Sequence, residues 1–158
     1  MTIESATQGR MIPVVDGPDI HSFPVQIYWE DTDAGGIVYY ANYLKFTERA
    51  RTDLLRGLGI NQQSLMIEDN LNFVVRDCRI EYLKPAVMDD TIEVRTCIRD
   101  LKGASLKMDQ DVYRGADILI KSTVRIACLQ KSGRPARFSP QIKDKFASIV
   151  DVPGAKKE

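Results

Sequence analysis

Between Trp29 and Arg51 the chain gathers side chains able to do acid–base or nucleophilic chemistry: Glu30, Asp31 and Asp33 ahead of a Gly35-Gly36 pair, then Glu48 further on. A carboxylate on a turn that leads into a helix N-terminus meets two requirements of acyl-transfer catalysis, a reactive acid and amide donors aimed at one point. Other chemistries are short of residues. The single histidine, His21, precedes Pro24, and Cys78, Cys97 and Cys128 are dispersed without a Cys-x-x-Cys spacing. Neither a zinc site nor a Ser-His-Asp triad is readily built from these, and no Gly-x-Ser-x-Gly elbow is present. The cysteines, each inside a strand-like run, are read as small core residues.

The elements that must position the acidic turn follow from periodicity. Residues 25–30 form a short β-rich run, and residues 31–36 supply turn chemistry. From about residue 41 to 56, Tyr40, Tyr43, Leu44, Thr47, Ala50, Leu54, Leu55 and Leu58 recur at three and four, which predicts a helix of about 24 Å. Gly57 and Gly59 are read as its stop. A short helix is predicted over residues 61–68, begun by Asn61.

The second half reads as strands over residues 73–83 and 91–101, continued by Leu106, Met108 and Val112 and then by Ile118, Ile120, Val124, Ile126 and Cys128, with a short helix near residues 140–149. Residues 91–101 alternate cleanly: Ile92, Val94, Thr96 and Ile98 lie on one side, Glu93, Arg95, Cys97 and Arg99 on the other. Short loops make neighbouring strands antiparallel. The predicted class is α+β, an antiparallel five-stranded sheet with one long helix. Residues 1–22 are predicted to be a flexible arm, residues 23–150 one domain, and residues 151–158 a frayed tail. Exposed edge strands predict a homo-oligomer.

Composition narrows the partners. Basic and acidic residues balance at 22 each, so no broad positive field is available for nucleic acid. No apolar run approaches the roughly 20 residues that span a bilayer, and the N-terminus lacks a signal peptide's apolar core, so a cytoplasmic location is predicted.

Residues 28–43, Tyr-Trp-Glu-Asp-Thr-Asp-Ala-Gly-Gly-Ile-Val-Tyr-Tyr-Ala-Asn-Tyr, followed by Glu48-Arg49-Ala50-Arg51, resemble the signature of the hotdog-fold 4-hydroxybenzoyl-CoA thioesterase family. Within it the closest look is to the YbgC-type acyl-CoA thioesterases associated with the Tol-Pal system. Weaker support comes from Phe73-Val74-Val75-Arg76, Tyr82-Leu83-Lys84-Pro85-Ala86 and Lys102-Gly103-Ala104-Ser105-Leu106, and the similarity covers about residues 24–147. The resemblance implies a five-stranded sheet curled around the long helix. It further implies hydrolysis of an acyl-CoA to free acid and coenzyme A without a further cofactor or metal.

It also implies roles. The Asp of the family's Asp-x-x-Gly turn maps to Asp33, as nucleophile or as general base for water. Seven residues on, many YbgC-type members carry His where this chain has Tyr40. Tyr40 is expected to act through its backbone N–H as oxyanion donor, with a core or interface aromatic as the alternative for its ring. Gly35 and Gly36 are expected to let the backbone pass close to substrate, or to be plain turn glycines. Asp31 and Glu48 are supporting residues, Glu48 through an ion pair with Arg51. Lys102, Ser105 and Arg137, with Arg99 and Arg134, are candidates to rim the coenzyme A phosphates. Acyl carrier protein is an alternative carrier, and a tetramer built from hotdog dimers, active at the inner membrane surface, is the expected assembly. The competing function is a hotdog module that binds acyl-CoA or acyl carrier protein without turnover. A hotdog dehydratase ranks last, for want of its His and Asp pair.

Overall fold

The computed structural model describes residues 8–150; the predicted tail, 151–158, and the first seven residues of the predicted arm lie outside the described residues. In chain order the elements are β1 (Arg10–Ile12), β2 (Ile20–Gln26), a 3-10 turn (Trp29–Asp31), α1 (Asn42–Gly57), α2 (Gln62–Glu68), β3 (Leu71–Tyr82), β4 (Thr91–Arg99), β5 (Ser105–Arg114), β6 (Asp117–Gln130) and α3 (Pro140–Ala147). The strands form one antiparallel sheet in the order β1-β2-β4-β5-β6-β3, with α1 against it. This is the expected α+β architecture, with a sixth strand added.

The addition is β1, inside the segment expected to be a free arm. Arg10, Met11 and Ile12 pair with Ser22, His21 and Ile20. The Gln8 and Gly9 amides donate to the Asp53 carboxylate on α1 at 2.9 and 3.0 Å. The anchors are backbone N–H groups, which leave no side-chain pattern to read.

Helix α1 buries Tyr43, Phe46, Ala50 and Leu54 against the sheet. Tyr40 and Leu44, expected on that stripe, are instead 61% and 47% exposed. Leu44 lies about a quarter turn off the buried line, where the helix flank faces β3. Gly59, at φ +77°, ends the helix, and the Ile60 N–H reaches back 2.8 Å to the Leu55 carbonyl. Gly57 is the last helical residue, not a stop. The Asn61 side chain caps α2 by accepting the Ser64 N–H, as its position predicts.

Strand β4 keeps its predicted alternation, with Ile92, Val94, Thr96 and Ile98 buried. Its outer face is occupied by ion pairs: Arg95 bonds Glu93 at 2.7 Å while stacking on Tyr113, and Arg99 bonds Asp109 at 2.9 Å. Of the three cysteines only Cys128 is a core residue; Cys97 is half-buried on that outer face and Cys78 is exposed. In β3 a bulge between Val75 and Asp77 leaves Arg76 without a partner on β6. Leu71 and Phe73 pack inward before it and Ile80 after it, so the inward set changes from odd to even numbers.

Candidate active site

Residues 31–42 form a tight loop between the 3-10 turn and α1. Asp33 N–H donates to the Ile37 carbonyl at 2.8 Å, and Gly36 N–H returns to the Asp33 carbonyl at 3.0 Å. Gly36 sits at φ +81°, a conformation that favours glycine. Gly35 N–H donates to Asp33 Oδ1 at 2.8 Å, and a Cβ on Gly35 would lie 3.1 Å from that oxygen. The Asp33 carboxylate is therefore oriented through one oxygen and exposed to water.

The loop is fastened from both sides. Val38 N–H donates to the Ala86 carbonyl at 2.9 Å, and Tyr43 Oη accepts the Ala86 N–H at 3.1 Å. Burial pushes the Tyr43 phenol up. Asp31 uses its carboxylate on the Tyr28 N–H at 2.9 Å, and its carbonyl accepts from Tyr39 N–H and Asn42 Nδ2, both at 2.9 Å. It shapes the loop.

Tyr40 stands at the entry to α1. Tyr82 Oη donates to its carbonyl at 3.1 Å, and the two rings meet edge to face at 6.0 Å. Among the described residues its N–H has no acceptor. Asp33 and the Tyr40 amide thus share one short loop at the start of a 16-residue helix. Tyr82 is an addition that sequence reasoning missed; its only signal was its place in Tyr82-Leu83-Lys84-Pro85.

Glu48 is exposed, and the expected ion pair with Arg51 is replaced. Arg51 Nη1 donates to Gln110 Oε1 at 2.8 Å, and Gln110 Nε2 donates to the Thr47 carbonyl and Thr96 Oγ1, both at 3.0 Å. Gln110 is fully buried and needs that donor more than an exposed carboxylate does.

The residues expected to rim coenzyme A lie near one another, but away from the acidic loop. Lys102 N–H bonds the Ser105 carbonyl at 2.8 Å, and the Arg137 guanidinium lies over Gly103, where a Cβ would come within 2.7 Å of Nη2. Arg134 lies in the neighbouring turn after β6, and Arg99 is held by Asp109. This cluster is at the Ser105 end of β5. The opposite end, Arg114, bonds the Pro85 carbonyl beside the acidic loop. Ten residues of strand span about 30 Å, so Lys102, Ser105 and Arg137 do not converge on Asp33 within one protomer.

Among the described residues there is no cluster of His, Cys, Asp or Glu able to hold a metal, and no helix long and apolar enough to cross a membrane.

The sequence profile of the thioesterase-like superfamily matches residues 27–146. The chain is 44% identical over 126 residues to the acyl-CoA thioesterase YbgC of Haemophilus influenzae, covering 79% of this chain and 93% of that protein. It is 41% identical over 129 residues to the acyl-CoA thioester hydrolase YbgC of Escherichia coli O157:H7, covering 81% and 91%. Among solved structures, a probable thioesterase from Bartonella henselae superposes with a TM-score of 0.73 at 37% identity, over 76% of this chain and 99% of that one.

Proposed function

This chain belongs to the thioesterase-like superfamily and hydrolyses acyl-CoA thioesters to the free acid and coenzyme A, and we propose that it does so through the Asp33 loop. The observation that carries the reading is the pairing, on one loop, of an oriented, water-exposed carboxylate with an unpartnered amide at the head of a long helix. The thioester carbonyl oxygen accepts the Tyr40 N–H. Partial positive charge at the α1 N-terminus adds to that donor as the oxyanion develops. Gly35 holds Asp33 Oδ1, leaving Oδ2 to take a proton from water as the water oxygen attacks the carbonyl carbon. Collapse of the tetrahedral species expels the coenzyme A thiolate, which takes up the proton held by Asp33 and restores the carboxylate. Water is the only co-reactant.

Asp33→Asn tests this. It should lower kcat at least a hundredfold with Tm unchanged; near-wild-type turnover would sink the assignment. A single turnover in ¹⁸O-water separates base from nucleophile. Label entering Asp33 shows a mixed anhydride opened at the Asp33 carbonyl, and label confined to the product acid is the result the general-base route gives.

In this reading the protein works as an antiparallel homodimer, paired further into a tetramer. Exposed Tyr28, Trp29, Tyr39, Tyr40 and Tyr82 cluster near the loop, and β3 is an edge strand. Antiparallel copies would bring the Lys102, Ser105 and Arg137 cluster of one protomer toward the Asp33 loop of the other, where coenzyme A phosphates need cations. Light scattering measures the mass. An acyl carrier protein could present the same thioester, which a side-by-side assay of both carriers decides. The cytoplasmic face of the inner membrane, beside the Tol-Pal system, is the proposed place of action, tested by fractionation.

A further inference from the structure

Four consecutive amides lead from the acidic loop into α1, and only the outer two are spent within the loop. Tyr39 N–H donates to the Asp31 carbonyl at 2.9 Å, and Asn42 N–H donates to the Tyr39 carbonyl at 2.8 Å. The Tyr40 and Ala41 N–H groups between them have no acceptor among the described residues. Ala41 is already in helical geometry, at φ −72° and ψ −18°, so its N–H is one of the leading donors of the helix. A single anionic oxygen placed ahead of a helix is within reach of more than one such amide.

The carbonyl of the Tyr40–Ala41 peptide is held from outside the helix. In a regular α-helix it would accept the Leu44 N–H. Leu44 N–H instead reaches the Ala41 carbonyl at 3.2 Å, closing a tighter turn. Tyr82 Oη takes that place, donating to the Tyr40 carbonyl at 3.1 Å. Tyr82 is the last residue of β3 and pairs with Ile120 on β6; beyond it, the Leu83 and Lys84 amides bond the Leu119 carbonyl at 2.8 and 3.1 Å. Its ring meets Tyr40 and Tyr43 edge to face at 6.0 and 5.9 Å, and Tyr43 is itself buried with its hydroxyl on the Ala86 N–H. The phenol is thus carried on anchored backbone and braced by two rings.

A peptide group is planar, so a bond that fixes its carbonyl also fixes the direction of its N–H. Hydrogen bonds in series also polarise one another, by roughly 10–30% per bond. Tyr82 therefore both aims Ala41 N–H and makes it a stronger donor.

We propose that Ala41 N–H is a second oxyanion donor beside Tyr40 N–H, and that Tyr82 is the positioning residue that aims it through the Tyr40 carbonyl. The inference rests on the reading of the Asp33 loop as the hydrolytic centre. As water attacks, negative charge gathers on the thioester oxygen, and both amides tighten their hydrogen bonds to it. Tyr82 touches no substrate atom and keeps its proton. Because the gain is made in the transition state, it belongs to kcat and not to KM.

Tyr82→Phe keeps the ring and deletes only the donor. It should lower kcat about tenfold, with KM within about twofold of wild type. Lactic acid incorporated at position 41 turns the Tyr40–Ala41 amide into an ester; this removes the N–H and should lower kcat about a hundredfold. The ester keeps the test decisive if Tyr82→Phe does not fold. A readout that packing alone would not move is the carbonyl stretch of a bound thioester. It is measured in Asp33→Asn with the ¹³C-carbonyl form of the fastest substrate among butyryl-, octanoyl- and benzoyl-CoA. The stretch should lie below its value in water, and either change should raise it. Wild-type kcat in both variants with an unmoved stretch would overturn the proposal and leave the Asp33 reading standing. Full activity of Asp33→Asn would instead overturn the hydrolytic role of Asp33, and the stretch would still decide whether the two amides hold the carbonyl.

Discussion

His21 Nε2 lies 2.8 Å from Asp53 Oδ2, both residues are buried, and the same carboxylate accepts the amides of Gln8 and Gly9. Burial lowers the imidazole pKa more than the Asp53 hydrogen bond and charge raise it. The neutral ring therefore donates Nε2–H to Asp53, and Nδ1 is a buried lone pair without a partner among the described residues. Because the folded pKa lies below the unfolded value of about 6.5, protonation favours the unfolded chain. Stability from this pair is full above that value and is lost as pH falls through the folded pKa. Tm should drop on acidification from neutral, and His21→Phe should flatten that part of the profile; an unchanged slope would count against it.

Asp53→Ala removes the acceptor of three donors at once. It should cost about 3 kcal/mol, in the range for stranding buried polar groups. Amide exchange at Gly9 and at β1 should rise with it. Protection that persists there would mean the segment is held by strand pairing alone.

Tyr40→Phe should leave kcat within about threefold, because the proposed donor is the main-chain N–H. Tyr40→Pro deletes that N–H two residues ahead of the first helical position, so no hydrogen bond within α1 is lost. Its turnover should fall about a hundredfold, the range for losing one oxyanion donor. Equal losses in the two variants would return the role to the phenol.

Gly36→Ala meets no atom within 4 Å, so its cost is conformational. About 1–2 kcal/mol is expected for a side chain at positive φ, with reduced turnover as the Asp33 loop shifts. Gly36→Asn should recover part of both, since Asn tolerates that region. Thermal melts and kcat measured on the same preparations decide it.

Gly103→Ala would press on the Arg137 guanidinium, the end of a flexible chain, so Tm should change little. KM for acyl-CoA should rise severalfold, while that for an N-acetylcysteamine thioester, which has no phosphates, should not. Parallel rises would remove Arg137 from phosphate binding.

The long helix, the antiparallel strands and the acidic loop were legible because each has a local signal: a period, or turn chemistry at fixed spacing. What stayed hidden depended on the third dimension. Leu44 is as apolar as Leu54, yet the first lies outside and the second inside, because β3 is an edge strand and leaves that flank of α1 open. Arg51 looked like a partner for Glu48 by spacing, but a buried glutamine 59 positions away takes its place over a solvated carboxylate. The β1 anchors are main-chain donors, invisible to any reading of side chains. Lys102 and Arg137 lie near each other, while their distance from Asp33 could be learned only from the direction of β5.

The unpaired residue in β3 has an evolutionary corollary. Arg76 acts as a spacer of one between two halves of a strand that reach opposite ends of α1: Phe73 near Leu55, Tyr82 at the Tyr40 carbonyl. Its deletion would shift the reading frame of the strand and turn one of those halves away from the helix. Among relatives, this position should accept no gap.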